Sequence, residues 1–453
     1  MRVQQLAEFP LPEPSAPQSA VDPALRPSSP PSRRRRRRER LHRGIHVDIV
    51  RGRPSSRFDE DWRDLLARAD TPNVFMQPRV LRASESNCQL VTLLAWDTRS
   101  EERHLLGFWG FSIGKPHLSI LPVAALCAPV TDHAYLSAPV IDRDRLEDTL
   151  HAMLDTIAQA PRFPKLLALE SMSGSGRTYQ ALMRVLAERS SPFCQLDGKN
   201  RPKLLAGPDA GDYLTKALSA STRKKLRQQR RRLGEKGTLR TTVVHSVADV
   251  RRAFQTFLAL EAQGWKGRRR TALLNDPNEA AFASNMVTAL ARTGDAAIYA
   301  LELDGRPVSM QVVLRAGGAA YTWKTAYDEA FGEFSPGMLL LEDYSKAFLA
   351  DPDIAFVDSC AFDDSGYMAA WTERMLVIDL WIDARRGGST AFSAIAGLQK
   401  TYLPLRESVK HVYLRSAAAQ ALRRVLSGSW RSSSKGGESD RNPSRVQGYA
   451  RAV

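Results

Sequence analysis

Ser335-Pro336-Gly337 is the stretch of this chain best suited to hold an anion. Ser335 reads as a helix N-cap and Pro336 suits the first helical position. Gly337 lets a ligand or another backbone come close. In such a turn the amides of Gly337, Met338 and Leu339 find no acceptor inside the helix. Free amides and the helix dipole together favour a phosphate group. A pyrophosphate seated there would send a long arm back along the preceding strand, past Tyr327. An ordinary capped helix following a loop has the same signature.

Other residues nearby can take part in chemistry. Alternation along the strand before the turn places Tyr321, Trp323, Thr325 and Tyr327 on one face and Thr322, Lys324, Ala326 and Asp328 on the other. A lysine in mid-strand suits a carboxylate partner, a substrate contact or a snorkelling side chain. Glu261 to Gly267 sets Trp265 and Lys266 on a glycine-flanked loop, as a substrate-binding loop or a plain surface loop would. Asp358, Asp363, Asp364, Tyr367, Trp371 and Arg374 follow a short strand. A carboxylate at a strand end, Asp358 above all or Asp328, can take a proton from an amine. Asp363-Asp364-Ser365-Gly366 equally fits a turn. No calcium-loop, CxxC or zinc-ligand spacing occurs, so no metal is expected. No GxGxxG follows a strand, and no GxxxxGK[ST] loop is present.

The elements that must position these residues come from 453 residues with a net charge of +16. Two segments hold that excess. Met1 to Arg57 has thirteen Lys/Arg against five Asp/Glu, and Lys216 to Lys236 has nine against one. The first contains Arg33 to Arg38 in a Pro- and Ser-rich tail that cannot bury enough apolar surface to fold. The second is a basic helix that suits phosphates, an acidic substrate or tRNA, or simply solvent. The N-terminus has no apolar stretch beside its arginines and no apolar run approaches the roughly 18 residues that span a bilayer. The four cysteines lie far apart and read as small buried hydrophobes in a reducing cytoplasm. Strands are expected near 47–50, 90–96, 105–113, 165–169 and 203–205, then at 239–244, 297–303, 306–316, 319–327, 354–359 and 376–382. Helices are expected between them at 58–69, 145–160, 179–188, 213–233, 247–260, 277–293, 338–349 and 389–427, the last broken at Pro404. Asp304-Gly305 and Gly317-Gly318 are two-residue hairpin signals. The pattern is α/β with antiparallel meanders, not a strictly alternating dinucleotide fold.

Taken in order, the Arg/Lys-rich helix, Trp265-Lys266-Gly267, Asp304-Gly305, Tyr321…Lys324…Tyr327-Asp328-Glu329…Ser335-Pro336-Gly337…Leu340 and Asp358…Trp371 resemble the CelD-like, FemAB-related GNAT acetyltransferases. The resemblance covers about 205 to 400. Residues from about 44 to 200, with Trp62, Asn73-Val74-Phe75 and Pro139-Val140, look like that family's degenerate first half. It implies two tandem GNAT-like domains, 46–200 and 201–400, between a disordered tail over 1–45 and a helical extension over 401–428 with a disordered tail over 429–453. It implies an acetyl-CoA or other acyl-CoA donor at Ser335, Pro336, Gly337, Met338, Leu339 and Tyr327. An amine or amino-sugar acceptor would lie near Trp265, Lys266, Trp323 and Trp371, in cell-envelope or exopolysaccharide assembly. Catalytic candidates are Asp358, Asp328 and Lys324. Typical GNAT enzymes carry Gln/Arg-x-x-Gly-x-Gly/Ala at the pyrophosphate turn, and Phe334 to Leu339 lacks that glycine pair. The related Fem transferases take their acyl group from aminoacyl-tRNA, which the basic helix suits. A third reading is a scaffold that keeps the fold without catalysis.

Overall fold

The computed structural model describes residues 44–84, 89–99, 103–117, 119–206, 213–362, 364, 366–406 and 408. The Arg-rich tail, Cys88, Asp363, Ser365, and nearly all of the expected C-terminal extension and tail lie outside the described residues. The fold is mixed α/β, with helices packed on one large mixed sheet.

Five strands open the first half: β1 (Ile45–Arg51), β2 (Gln89–Asp97), β3 (His104–Gly114), β4 (Ala125–Ala128) and β5 (Val140–Ile141). Then come β6 (Leu166–Ser173) and β7 (Phe193–Leu205). The helices among them are α1 (Asp59–Arg68), α2 (Pro78–Ala83), α3 (Leu146–Gln159) and α4 (Arg177–Arg189). The second half has α5 (Tyr213–Ala217), α6 (Ala220–Gly234), β8 (Leu239–Val244), α7 (Val247–Gln263), α8 (Trp265–Arg268) and α9 (Pro277–Ala291). It continues with β9 (Ala296–Leu303), β10 (Arg306–Ala316), β11 (Ala319–Tyr327), α10 (Pro336–Ala350), β12 (Phe356–Asp358) and β13 (Glu373–Asp383). A last helix, α11, spans 390–406.

The strand order is β1-β2-β3-β4-β6-β13-β7-β12-β11-β10-β9-β8, with β5 beside β3. β13 inserts between β6 and β7, antiparallel to both, so the last strand among the described residues joins the two halves into one sheet. The position near residue 200 where the sequence changes character falls inside β7. Each half contains one parallel pair at its centre, β4–β6 and β11–β12.

Local chemistry explains most elements. Asp304 and Gly305 both have positive φ, 50° and 78°, as a tight hairpin between β9 and β10 requires. Where one basic helix over 213–233 is expected, there are two. Ser219 is extended and its hydroxyl accepts from the Thr222 amide at 3.1 Å, so the chain restarts as α6. β4 is a four-residue strand that the sequence pattern does not reveal, and β7 is far longer than the expected 203–205. α11 continues through Pro404, where a break is expected. The proline is exposed, so the carbonyl it leaves without a donor can bond to water.

Four apolar clusters pack on the sheet, the smallest around Trp381 and Phe392. The first centres on the first half, around Trp109, Leu150 and Leu182, and takes in Ile378, Leu380 and Ile382 of β13. On one face of the second-half sheet, α7 and α9 pack with Val74, Phe75, Tyr135 and Leu136 from the first half. The other face is covered by α6 and α10, through Leu226, Leu233, Leu340, Tyr344 and Phe348.

Candidate active site at the parting of two strands

The parallel pair β11–β12 is short. Ala319, Ala320 and Tyr321 pair with Phe356, Val357 and Asp358, and the ladder stops there. Thr322 still bridges the gap through its hydroxyl, which donates to the Ser359 carbonyl at 3.0 Å. Beyond that point β11 stays with β10 while the chain after β12 turns away, with Cys360 at φ 52°.

β11 carries a bulge at this opening. The β10–β11 register shifts between Val312, opposite Lys324, and Val313, opposite Thr322, so Trp323 is the inserted residue. The bulge overturns the expected alternation. Trp323 and Lys324, assigned to opposite faces by sequence, both reach the first-half loop over 131–138. Trp323 Nε1 donates to the His133 carbonyl at 2.7 Å, and Lys324 Nζ contacts Tyr135 Oη at 3.0 Å and His133 Nδ1 at 3.3 Å. Buried Gln311 pins the bulge by donating to the carbonyls of Lys324 at 2.9 Å and Val312 at 3.0 Å.

Asn73 fixes the loop that meets the bulge. Fully buried, it donates to the carbonyls of Ala138 at 2.8 Å and Leu136 at 3.3 Å. Tyr135 stands edge-on to Phe75 and to Phe362, each with ring centroids 5.9 Å away. Arg201, 1% exposed, donates to the Tyr135 carbonyl at 3.1 Å and to Asp358 at 2.5 Å. Periodicity gave no hint of Tyr135, His133, Arg201 or Gln311, because they approach from elements distant in sequence.

Trp265 and Lys266 belong to the one-turn helix α8, which replaces the expected loop. Lys266 Nζ donates to Glu261 at 2.8 Å and to the Thr325 carbonyl at 2.9 Å, tying α8 to β11. Burial holds this lysine below the ordinary ammonium range, against the opposing pull of Glu261. Lys324 goes the other way. Burial works to lower it, but Tyr135, Glu261 and Glu279 outweigh burial and the net direction is up. Trp265 is half-buried, with the Arg269 guanidinium 5.3 Å from its ring centroid. Tyr367, half-exposed, is bonded to Thr325 and Tyr344, and burial raises its hydroxyl.

The structure puts the other sequence candidates in different surroundings. Asp358 is fully buried; it accepts from Arg201 and from the Cys360 amide at 2.9 Å. Asp328 accepts from the Ala330 amide at 3.0 Å and from Arg306 at 2.9 Å, closer to solvent. Trp371 has no exposed surface, and its Nε1 donates to Ser345 Oγ at 2.9 Å in the core under α10. Tyr327 is exposed at the end of β11.

The turn before α10 differs in detail from a serine cap. Ser335 lies in the left-handed region (φ 50°, ψ 55°) and its side chain does not cap; its Oγ accepts from Gln229 at 2.9 Å. The amides of Met338 and Leu339 are not free, since both donate to the Ser335 carbonyl, at 2.9 and 3.2 Å. Among the described residues, Gly337 is left as the amide of this turn without a backbone acceptor, and a Cβ added there would meet no neighbouring atom within 4 Å. The Leu339 side chain is buried and that of Met338 is half-buried.

α6 lies against this turn. Arg230 bonds Asp343 at 2.7 Å and the Leu339 carbonyl at 3.0 Å, and Arg232 meets Glu333 at 3.2 Å. The inward charge of α6 is thus met by acids, while Lys224, Lys225, Arg227 and Arg231 face solvent.

Residues 220–361 match the family model described as an acetyltransferase (GNAT) domain. No curated protein matches the chain significantly. Among solved structures, FemX overlays with a TM-score of 0.52 at 11% identity, over 77% of this chain and 100% of that one. A C-terminal domain of a putative lysylphosphatidylglycerol synthetase from Agrobacterium fabrum gives 0.46 at 13%, over 77% and 96%. A tandem GNAT protein from the clavulanic acid biosynthesis pathway gives 0.39 at 16%, over 76% and 100%. No helix among the described residues is long and apolar enough to cross a membrane, and no metal-holding group of His, Cys, Asp or Glu occurs among them. Residues 220–361 are thus similar to a GNAT-type acetyltransferase domain, set in a fold similar to that of FemX.

Proposed function

We propose that this chain is an N-acyltransferase that moves an acyl group, an acetyl group in the simplest case, from acyl-CoA to the amine of a small molecule or amino sugar. The observation that supports it most is the opening between β11 and β12. It lies inside the residues matched by the acetyltransferase domain and carries a bulge whose side chains converge on one loop. An acyl-CoA suits the residues beside it. The Gly337 amide has no backbone acceptor, so a phosphate oxygen could be received there, with Ser335, Pro336, Met338 and Leu339 shaping the turn. Tyr327 would flank the arm leading back along β11.

The donor would supply a thioester carbon. The acceptor nitrogen would bond to that carbon as the carbon–sulfur bond breaks and the thiolate leaves. Trp323, Lys324, Trp265 and Lys266 would line the acceptor side. Asp328, nearer to solvent than the sealed Asp358, is the carboxylate we assign to take the amine's proton through water. The CelD-like resemblance extends this reading to envelope or exopolysaccharide assembly in the cytoplasm.

The outward face of α6 favours a second reading, a Fem-like transfer from aminoacyl-tRNA, because four exposed cations line it. Calorimetry with acetyl-CoA and, separately, with tRNA decides between them. Binding of acetyl-CoA that is lost in Gly337→Asp supports the first; the space around Gly337 leaves room for that side chain. Salt-sensitive tRNA binding without acetyl-CoA binding replaces it with the second. Binding neither leaves a scaffold.

A further inference from the structure

Two lysines face the opening, and they are neutralised differently. Lys266 has a carboxylate of its own, Glu261 at 2.8 Å, whose other oxygen is taken by the Leu273 amide at 2.9 Å. Lys324 has none in contact. Its Nζ partners are the Tyr135 hydroxyl and His133 Nδ1, and no carboxylate among the described residues comes within ion-pair distance. Glu279 stands on the far side of the imidazole, 3.5 Å from His133 Nε2. An ammonium has three N–H groups to place, and Tyr135 Oη and His133 Nδ1 account for two of them. A half-buried cation in that state gains from any anion brought to it.

The surroundings are also built to hold it still. β11 bulges here and Gln311 pins the bulge. Tyr135 is gripped by Phe75 and Phe362, and Arg201 holds its carbonyl. His133 lies nearly parallel to Phe282, with centroids 6.2 Å apart.

Resting on the acyl-transfer reading above, we propose that Lys324, held by Tyr135 and His133 of the first half, receives a carboxylate or phosphate of the acceptor. The acceptor is then an amine that also bears an anionic group, and the first half supplies the wall that selects it. The groups facing Lys324 sort the charges. Glu261 bonds Lys266 and Glu279 lies beyond the His133 ring, so neither carboxylate touches Lys324 and an incoming anion would be its first directly bonded one.

Two measurements on the full chain test this. The first needs no turnover. Lysines are methylated with formaldehyde and borane, with and without inorganic phosphate or acetate, and mapped by peptide mass spectrometry. Selective, several-fold protection of Lys324, with exposed Lys224 as the internal reference, is expected; absence of protection by either anion overturns the proposal. The second follows thiol release from acetyl-CoA with matched acceptors: an amino acid against its carboxamide, and a hexosamine phosphate against the hexosamine. A preference of about tenfold in kcat/KM for the anionic member, the scale of one charge-assisted hydrogen bond, is expected. The pair that shows it tells carboxylate from phosphate. Lys324→Met should abolish that preference, and Tyr135→Phe should reduce it by raising KM for the anionic acceptor more than for the neutral one. Equal rates for both members, or a preference that survives Lys324→Met in a variant with an unchanged unfolding midpoint, overturns it. Calorimetry with acetyl-CoA keeps the two failures apart. If acetyl-CoA does not bind, the donor reading falls and the protection experiment alone judges the subsite.

Discussion

Asp358 shows how much a residue's surroundings, beyond its type, bear on its work. At the end of a strand in an acidic cluster it suggests a base, yet it is sealed against Arg201 with both side chains almost wholly out of solvent. A buried pair of this kind contributes little net stability over an apolar pair, but breaking it is expensive because one charge is stranded. Arg201 also holds the Tyr135 carbonyl, so the pair couples the end of β12 to the first-half loop. Arg201→Met should therefore cost about 3–5 kcal/mol in urea unfolding. A loss below about 1 kcal/mol, the range of an exposed ion pair, would mean that the Asp358 carboxylate is solvated and open to substrate after all.

At the scale of elements, the short helix α8 depends on one glycine. A Cβ on Gly267 would sit 1.8 Å from the Ala262 carbonyl oxygen, so only glycine lets α8 fold back on α7 and deliver Lys266 to Thr325. Gly267→Ala should cost about 1–3 kcal/mol, the range for overpacking. Gly264→Ala is the control, since its Cβ would meet nothing closer than 3.5 Å and its φ is −81°. Equal denaturation midpoints for the two variants would contradict this account. Elements with strong local signals were legible in sequence. The meander β9–β10–β11 announces itself through Asp304-Gly305 and Gly317-Gly318, and α10 through Pro336 and its apolar stripe. The β11 bulge was not, because nothing in Thr322-Trp323-Lys324 marks an inserted residue; the shift is set by Gln311 across the ladder. β4 was missed because four residues are too few for a period, and β7 because its middle is polar and exposed.

At the scale of the molecule, what sequence could not convey is that each half completes the other. β13 is shared, and Tyr135 and His133 cross from the first half to the bulge of the second. The two halves also part their parallel strands in the same way with opposite chemistry. In the second half cations gather beyond Tyr321–Asp358. In the first, pairing ends at Ala128–Leu169 and the next residue is Glu170. Burial, then the nearby Asp379 and Asp132, push the Glu170 carboxyl up to about 7. Asp379 is raised in the same direction, again by burial first. A carboxyl raised on folding keeps its proton longer in the native state than in the unfolded chain. Its stabilising effect is therefore full below the ordinary glutamate range and is lost as pH rises through about 7. For Glu170 the swing is on the order of 3 kcal/mol. Glu170→Gln should flatten the pH dependence of unfolding between about 4.5 and 7 and make the protein more stable than the parent at higher pH. Parallel stability–pH curves for the two proteins would show that Glu170 is ionised in the native state across that window, and that the first-half opening is wetter than its packing implies.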